Sequence, residues 1–311
     1  MEKGDFMNRR NALLFLASFM ALYAGKAMAK EGSKFKIPIK IGFLPISDHL
    51  LIIAKELFVS QNYELVGIKF SNWADISEAL RAGALDGAFL LAPLGLNLKA
   101  SGVPIKAVLS AHKNGSAFVV NKNINSVNDL KGKKIAVPSR FSMHYFLLDK
   151  LLNDNNISDV NIIDMAPPEM PFALVSGQID AYIVAEPFGQ IGVRLGAKNL
   201  LLSKEIKPNH ICCVLNLKDE ILKIPQISEL LDAFKKTAVF IEQNSAKSAI
   251  LGNKIMAQKT QILQNVLEKK LVTYDDLSLS EQDLSQLRDF LVAKNLGSAK
   301  LASLNIKDYL L

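Results

Sequence analysis

The chain has 311 residues, enough for two lobes of ordinary domain size; half are apolar, 22% are charged and 7% are aromatic. Its formal charge is +7, but the lysines are interspersed with Asp and Glu, and no Arg-rich stripe with interleaved aromatics occurs, which argues against nucleic acid as a partner. After the N-terminal region no apolar run reaches the ~18 residues that a membrane span requires, so a globular body is expected.

The first residues form a separate unit. Arg9 and Arg10 head an apolar run from Ala12 to Ala24, and Ala27-Met28-Ala29 supplies small residues where a signal peptidase reads. Residues 1–29 are therefore expected to be an export signal cleaved after Ala29, which places the mature chain in the periplasm. The arginine pair resembles a twin-arginine signal, and that route and the general one both stay open.

Residues 36–44 read as a strand ending at Pro45, after which Ser47 or Asp48 caps an apolar-periodic helix over 49–58. The alternation recurs as strand 64–70, helix 74–82 closed by Gly83, strand 86–90 and a helix near 95–100. Further strands follow at 104–110 and 117–121, with His112, Asn114 and Gly115 between them as turn chemistry suited to a crossing between lobes. A second series comprises strand 133–137, a helix that Ser142 caps and that runs to Asn153, strand 161–165, helix 168–176 and strand 181–184. Residues 226–296 carry helix patterns, notably 227–243 and 280–294, and are expected to pack back on the first lobe. The fold class is α/β: each lobe a mainly parallel sheet flanked by helices, with 36–113 plus 216–311 in lobe 1 and 114–215 in lobe 2.

Adjacent residues reach disulfide geometry only with a strained peptide, so Cys212 and Cys213 are read as small hydrophobes on an inner strand. No Cys and His stand at metal-finger spacing, and no structural zinc site is expected.

In open α/β sheets ligands settle beyond the carboxyl ends of strands. The loops selected by that rule carry Ser47, Asp48, Trp73, Asn114, Ser116, Ser142, His144, Glu186, Asn209 and His210, more polar and aromatic side chains than turns require. Ser47, Asp48 and Ser142 are equally readable as helix caps, and Trp73 as core. Glu186, after an apolar strand and before Pro187, either caps structure or meets a ligand.

The text of these loops resembles a known family. HKNGSAFVV (112–120), DLKGKKIAVPSRFSMHYFLL (129–148), APPEMPFALVSGQIDAYIVAEPFG (166–189) and KPNHICCVL (207–215), with GFLPISDHLLIIAKELF upstream, resemble the periplasmic substrate-binding proteins of nitrate, sulfonate, taurine and bicarbonate ABC importers. The resemblance implies a two-lobed type II periplasmic-binding-protein fold that closes on a small oxyanion or related molecule. It also implies delivery to a membrane permease driven by an ATPase, a monomeric state and no catalysis.

Contacts in nitrate-binding relatives correspond to Trp73, Ser116, His144, the Ala185-Glu186 pair and Asn209, and Ser47, Asp48 and His210 complete the expected ligand set. The relatives usually carry Gln, Gly and Lys where this chain has Ser116, Ala185 and Asn209, so the positive counter-charge for nitrate is missing. In bicarbonate-binding relatives the residue matching Glu186 helps hold calcium; no metal or other cofactor is otherwise expected. Two alternatives share the fold: an enzyme of the thiamine-pyrimidine or menaquinone kind, and a cytoplasmic ligand sensor. Both conflict with an export signal.

Overall fold

Strands arise where apolar runs rich in Ile, Val and Phe are closed by turn residues, and each run delivers the chain to a helix start. The structure is a computed structural model that describes residues 36–311, so the export signal read over residues 1–29 lies outside the described residues. In chain order the strands are β1 (Ile37–Phe43), β2 (Tyr63–Lys69), β3 (Gly87–Leu91), β4 (Ile105–Ser110), β5 (Lys113–Asn114), β6 (Ser116–Val120), β7 (Lys134–Val137), β8 (Asn161–Asp164), β9 (Ala181–Ala185), β10 (Lys198–Leu202), β11 (Cys213–Lys218) and β12 (Val272–Thr273).

They form two five-stranded sheets, ordered β2-β1-β3-β11-β4 and β10-β6-β9-β7-β8, and a two-stranded ribbon of β5 with β12. β3, β6 and β9 are buried along their whole length, as strands covered on both faces must be. The parallel expectation describes β1 with β3, and β7 with β8 and β9. The sheets are mixed, however: β11 runs antiparallel to β3 and β4, and β6 antiparallel to β9 and β10. β6 and β11 are the strands that the chain enters from the other sheet, without a crossover helix to bring them in parallel.

The passages between the sheets run side by side. Lys113 bridges Ile211 in antiparallel register, the Asn114 amide donates to His210 O (3.0 Å), and the Ala111 amide donates to Cys213 O (2.9 Å).

The helix expected over 49–58 differs most from its sequence reading. Ser47–Ile53 is a 3-10 segment, bent at His49 (φ −107°, ψ 17°), and only Ala54–Leu57 is α-helical. Ile46 occupies the cap position, and neither Ser47 nor Asp48 caps the helix. Instead the Leu44 amide donates to His49 Nδ1 (2.8 Å), which folds the loop back on the strand end and turns the Ser47 and Asp48 side chains inward, where both are fully buried.

Helices Gln226–Gln243 and Ser245–Met256 pack on this 3-10 segment, and Glu281–Ala293 packs on Ala92–Ala100, so the C-terminal region covers elements of the first sheet. It also reaches the second: Thr260–Glu268 touches Phe188–Arg194, and Phe290 meets Tyr145 and Phe146 edge-on, with ring centroids 5.3 and 5.2 Å apart. Among the described residues no helix is long and apolar enough to cross a membrane. Residues Pro38–Leu311 make one compact unit, so the two sheets keep a common frame for whatever lies between them.

Candidate functional site

The carboxyl ends of β1 and β9 face one another: the Ser47 amide donates to Glu186 O (2.7 Å), and the Glu186 amide donates to Gly115 O (2.8 Å). Around this junction the chain buries an unusual number of polar groups. Ser47, Asp48, His49, His112, Asn114, Ser116, His144, Glu186 and His210 are all at most 5% exposed, in a setting where an uncompensated polar group is costly.

Two short networks organise them. In the first, His112 Nε2 lies 3.1 Å from Asp48 Oδ2, and Cys213 Sγ donates to the same oxygen at 3.7 Å. Burial pushes the Asp48 carboxyl up and the His112 charge draws it back, to about 6. Burial pulls the His112 imidazolium down, but the Asp48 charge and hydrogen bond more than reverse this, to about 10. The pair is thus carboxylate with imidazolium near neutral pH. In the second, His144 Nε2 is 2.9 Å from Ser116 Oγ, and His144 Nδ1 is 3.9 Å from Cys212 Sγ. The Cys213 thiol hydrogen-bonds Cys212 and holds it well below the usual thiol range, whereas burial holds Cys213 well above it.

Among the described residues, buried side-chain atoms without a hydrogen-bond partner occur singly elsewhere, at Asn199, Asp219, Gln226 and Ser248, but here they gather: Ser47 Oγ, Asp48 Oδ1, His49 Nε2, Trp73 Nε1, His112 Nδ1 and His210 Nε2. Their polarity can be worked out. His49 accepts at Nδ1 from Leu44, so its proton sits on Nε2, and burial keeps the ring neutral by lowering it to about 3. His210 Nδ1 lies 3.2 Å from Ile211 O and therefore carries the proton; burial lowers this ring to about 4, which leaves Nε2 as an acceptor. Trp73 Nε1 is an obligate donor, and its ring stands edge-on to His49 with centroids 5.6 Å apart. A Cβ on Gly115 would lie 3.0 Å from Asp48 Oδ1 and 3.1 Å from His112 Nδ1, so the free atoms of the pair converge on the space that this glycine leaves open.

The other expected residues fall into place differently. Ser142 is a helix cap: its Oγ accepts from the Tyr145 amide (3.0 Å) and donates to Ser139 O (2.6 Å). Glu186 is also used locally, because its Oε2 accepts from the Gln190 amide (3.0 Å) at the start of Phe188–Arg194. Burial pushes its carboxyl up to about 7 against that hydrogen bond. Asn209 is exposed and takes part through its backbone, whose amide donates to Asn114 Oδ1 (2.9 Å). Lys113, buried in the crossing, points to Asp276 Oδ2 (3.4 Å) and Ser278 O (3.1 Å).

His49, His112, Cys212 and Cys213 join the cluster although sequence reasoning did not select them. A reactive type within three residues of a selected one was the available signal: His49 follows Asp48, His112 precedes Asn114, and the Cys pair follows His210. Calcium does not fit, because it takes six to eight oxygen ligands; here imidazoles and thiols surround Asp48, and Gln190 occupies Glu186.

Comparison with known proteins gives this geometry a family. Of solved structures, the ligand-binding component of an ABC-type import system from Staphylococcus aureus, with zinc bound, superposes with TM-score 0.76 at 28% identity, covering 88% of this chain and 99% of that one. The periplasmic nitrate-binding protein NrtA of Synechocystis superposes with TM-score 0.77 over 88% of this chain and 86% of its own, at 15% identity, a likeness of fold. Among curated relatives, the nitrate import ATP-binding protein NrtC of Synechocystis is 30% identical over 195 residues, 54% of this chain, which spans 29% of that protein's length. The model of the NMT1-like family matches residues 33–251, and the chain belongs to that family.

Proposed function

We propose that this chain is the solute-binding component of an ABC importer, exported to the periplasm and handing one small polar molecule to a membrane permease and its ATPase. The observation that carries this reading is the group of six buried, unpartnered polar atoms around the junction of β1 and β9. A folded protein leaves few such atoms, and a group of them at the junction of two sheets fits a site that a bound solute completes. Binding of this kind needs no covalent step, and the likeness to a ligand-binding component at TM-score 0.76 supports it.

The chemistry of the six atoms narrows the solute. Trp73 Nε1, His49 Nε2 and His112 Nδ1 offer protons, and Asp48 Oδ1 and His210 Nε2 accept them. The buried charges near neutral pH are the Asp48 carboxylate and the His112 imidazolium, beside a Glu186 carboxyl that burial pushes up to about 7. A bare oxyanion such as nitrate would meet too little positive charge. A small molecule with an oxyanion at one end and a hydrogen-bond donor at the other, of the amino-sulfonate kind, matches both sets.

Thermal unfolding of the purified chain against nitrate, bicarbonate, taurine, alkyl sulfonates and aminopyrimidines tests this. A solute at about 100 times its Kd stabilises by about 2.7 kcal/mol, a readily measured shift. The expected result is a shift with an amino sulfonate that Trp73→Phe diminishes. No shift with any of these solutes overturns the reading.

A further inference from the structure

We propose that Asp48, His112, Cys212 and Cys213 bind one thiophilic divalent cation, zinc in the first instance, where the two passages between the sheets meet the end of β1. Each of the four offers a ligand atom, these atoms all lie within 4.8 Å of one another, and all four side chains are buried. Bonds from zinc of about 2.0–2.3 Å put the edges of a tetrahedron at about 3.3–3.8 Å. Asp48 Oδ2 already stands 3.1 Å from His112 Nε2 and 3.7 Å from Cys213 Sγ. Shifts of about 1 Å therefore close the site at those bond lengths.

The donor set selects the ion. Two thiols exclude calcium and magnesium, and a carboxylate beside an imidazole suits zinc better than copper(I). The cation displaces the Nε2 proton of the His112 imidazolium and whatever protons the two cysteines retain, all of which leave to solvent. A supporting shell stands behind the thiols: His144 faces Cys212 through Nδ1 and is fixed through Nε2 by Ser116. Asp48 Oδ1 and His112 Nδ1, the atoms assigned above to the solute, remain free, so cation and solute do not compete for atoms. His112 and Cys212 lie on the passages, Cys213 begins β11 of the first sheet, and Asp48 lies in the 3-10 segment after β1, so the second sheet supplies none of the four ligands. Such a centre lies beside the site of the proposed function but requires no transport role.

The chain contains two cysteines, so a thiolate-to-metal band in the folded protein can arise nowhere else. The purified full chain, reduced and freed of metal with a chelator, is titrated with cobalt(II) and then zinc. The expected result is a thiolate-to-cobalt charge-transfer band that saturates at a single equivalent, is bleached by a single equivalent of zinc, and weakens about 10- to 100-fold in apparent affinity in His144→Ala. Absence of the band in the folded wild-type chain overturns the site, and so does a band that Asp48→Asn and His112→Ala leave unchanged. Solute-induced thermal shifts without any cobalt band overturn the metal centre and leave the importer reading standing. A band with silence across the solutes supports the centre and counts against the importer reading.

Discussion

Asp48 and His112, 64 residues apart in sequence, form a 3.1 Å ion pair from which solvent is fully withdrawn. Asp48 comes from the loop after β1, and His112 from the first passage between the sheets, so the pair ties the end of β1 to that passage. One oxygen and one ring nitrogen are spent on the pair itself, while Asp48 Oδ1 and His112 Nδ1 have no partner. A pair built only for stability would have those atoms satisfied as well.

Removing one member should be severe. Asp48→Asn leaves a buried imidazole without its counter-charge, and breaking a buried pair in this way costs about 3–5 kcal/mol. His112 has its pKa raised from 6.5 to about 10, so its contribution is fully present below pH 6.5 and is lost as pH rises through about 10. Denaturant unfolding should show most of the deficit of Asp48→Asn at pH 7 and a much smaller one above pH 10. An equal deficit at both would show that the loss comes from packing, not charge.

Trp73 separates a binding role from a core role. Its ring is 6% exposed and packs on His49, yet Nε1 has no partner. Trp73→Phe keeps most of the ring and removes the donor. Stability should fall by about 1–3 kcal/mol for the part of the buried ring removed, while solute affinity should fall about tenfold, the worth of one hydrogen bond to a polar ligand. Unfolding and calorimetric titration on the same variant decide it; an unchanged affinity would make Trp73 a packing residue.

The strands and most helices were legible because apolar runs and caps are local signals: Ser142 was read as a cap and is one, and β6 through β9 fall within a residue or two of their expected positions. The 3-10 turn at Ser47–Ile53 was not, because the bond from the Leu44 amide to His49 Nδ1 outweighs the caps that Ser47 and Asp48 would have offered. β10 was missed, since KNLLL has no alternation to mark an antiparallel edge strand. The site was half legible for the same reason. Single loops announced Asp48, Trp73 and His144, but Cys212 against His144 and Cys213 against Asp48 are meetings between distant segments that no local spacing encodes.

Gly115 should be hard to replace. Its φ of +93° is open to glycine and strained for other residues. Gly115→Ala would add that strain, about 1–3 kcal/mol, and place a methyl group against Asp48 Oδ1 and His112 Nδ1. Solute binding should be lost even in preparations that remain folded by circular dichroism. Binding at wild-type strength would show that the solute does not approach the pair from the side of Gly115.

Glu186 gives the clearest pH signature. Burial raises its carboxyl from 4.5 to about 7, with the Gln190 amide pulling the other way and the Asp48 charge adding to the rise. The folded state therefore holds a proton that the unfolded state has already released between those values. The sign follows: stability from this group is fully present below pH 4.5 and is lost as pH rises through about 7. Glu186→Gln keeps an acceptor for the Gln190 amide and abolishes the titration. The variant should match wild type near pH 4.5 and exceed it by about 3 kcal/mol at pH 8, at 1.36 kcal/mol for each pKa unit. Guanidinium unfolding of both proteins across that range checks it. A variant less stable than wild type at pH 8 would show that the charged carboxylate is satisfied by partners within the folded protein, and the burial account of its raised pKa would fall.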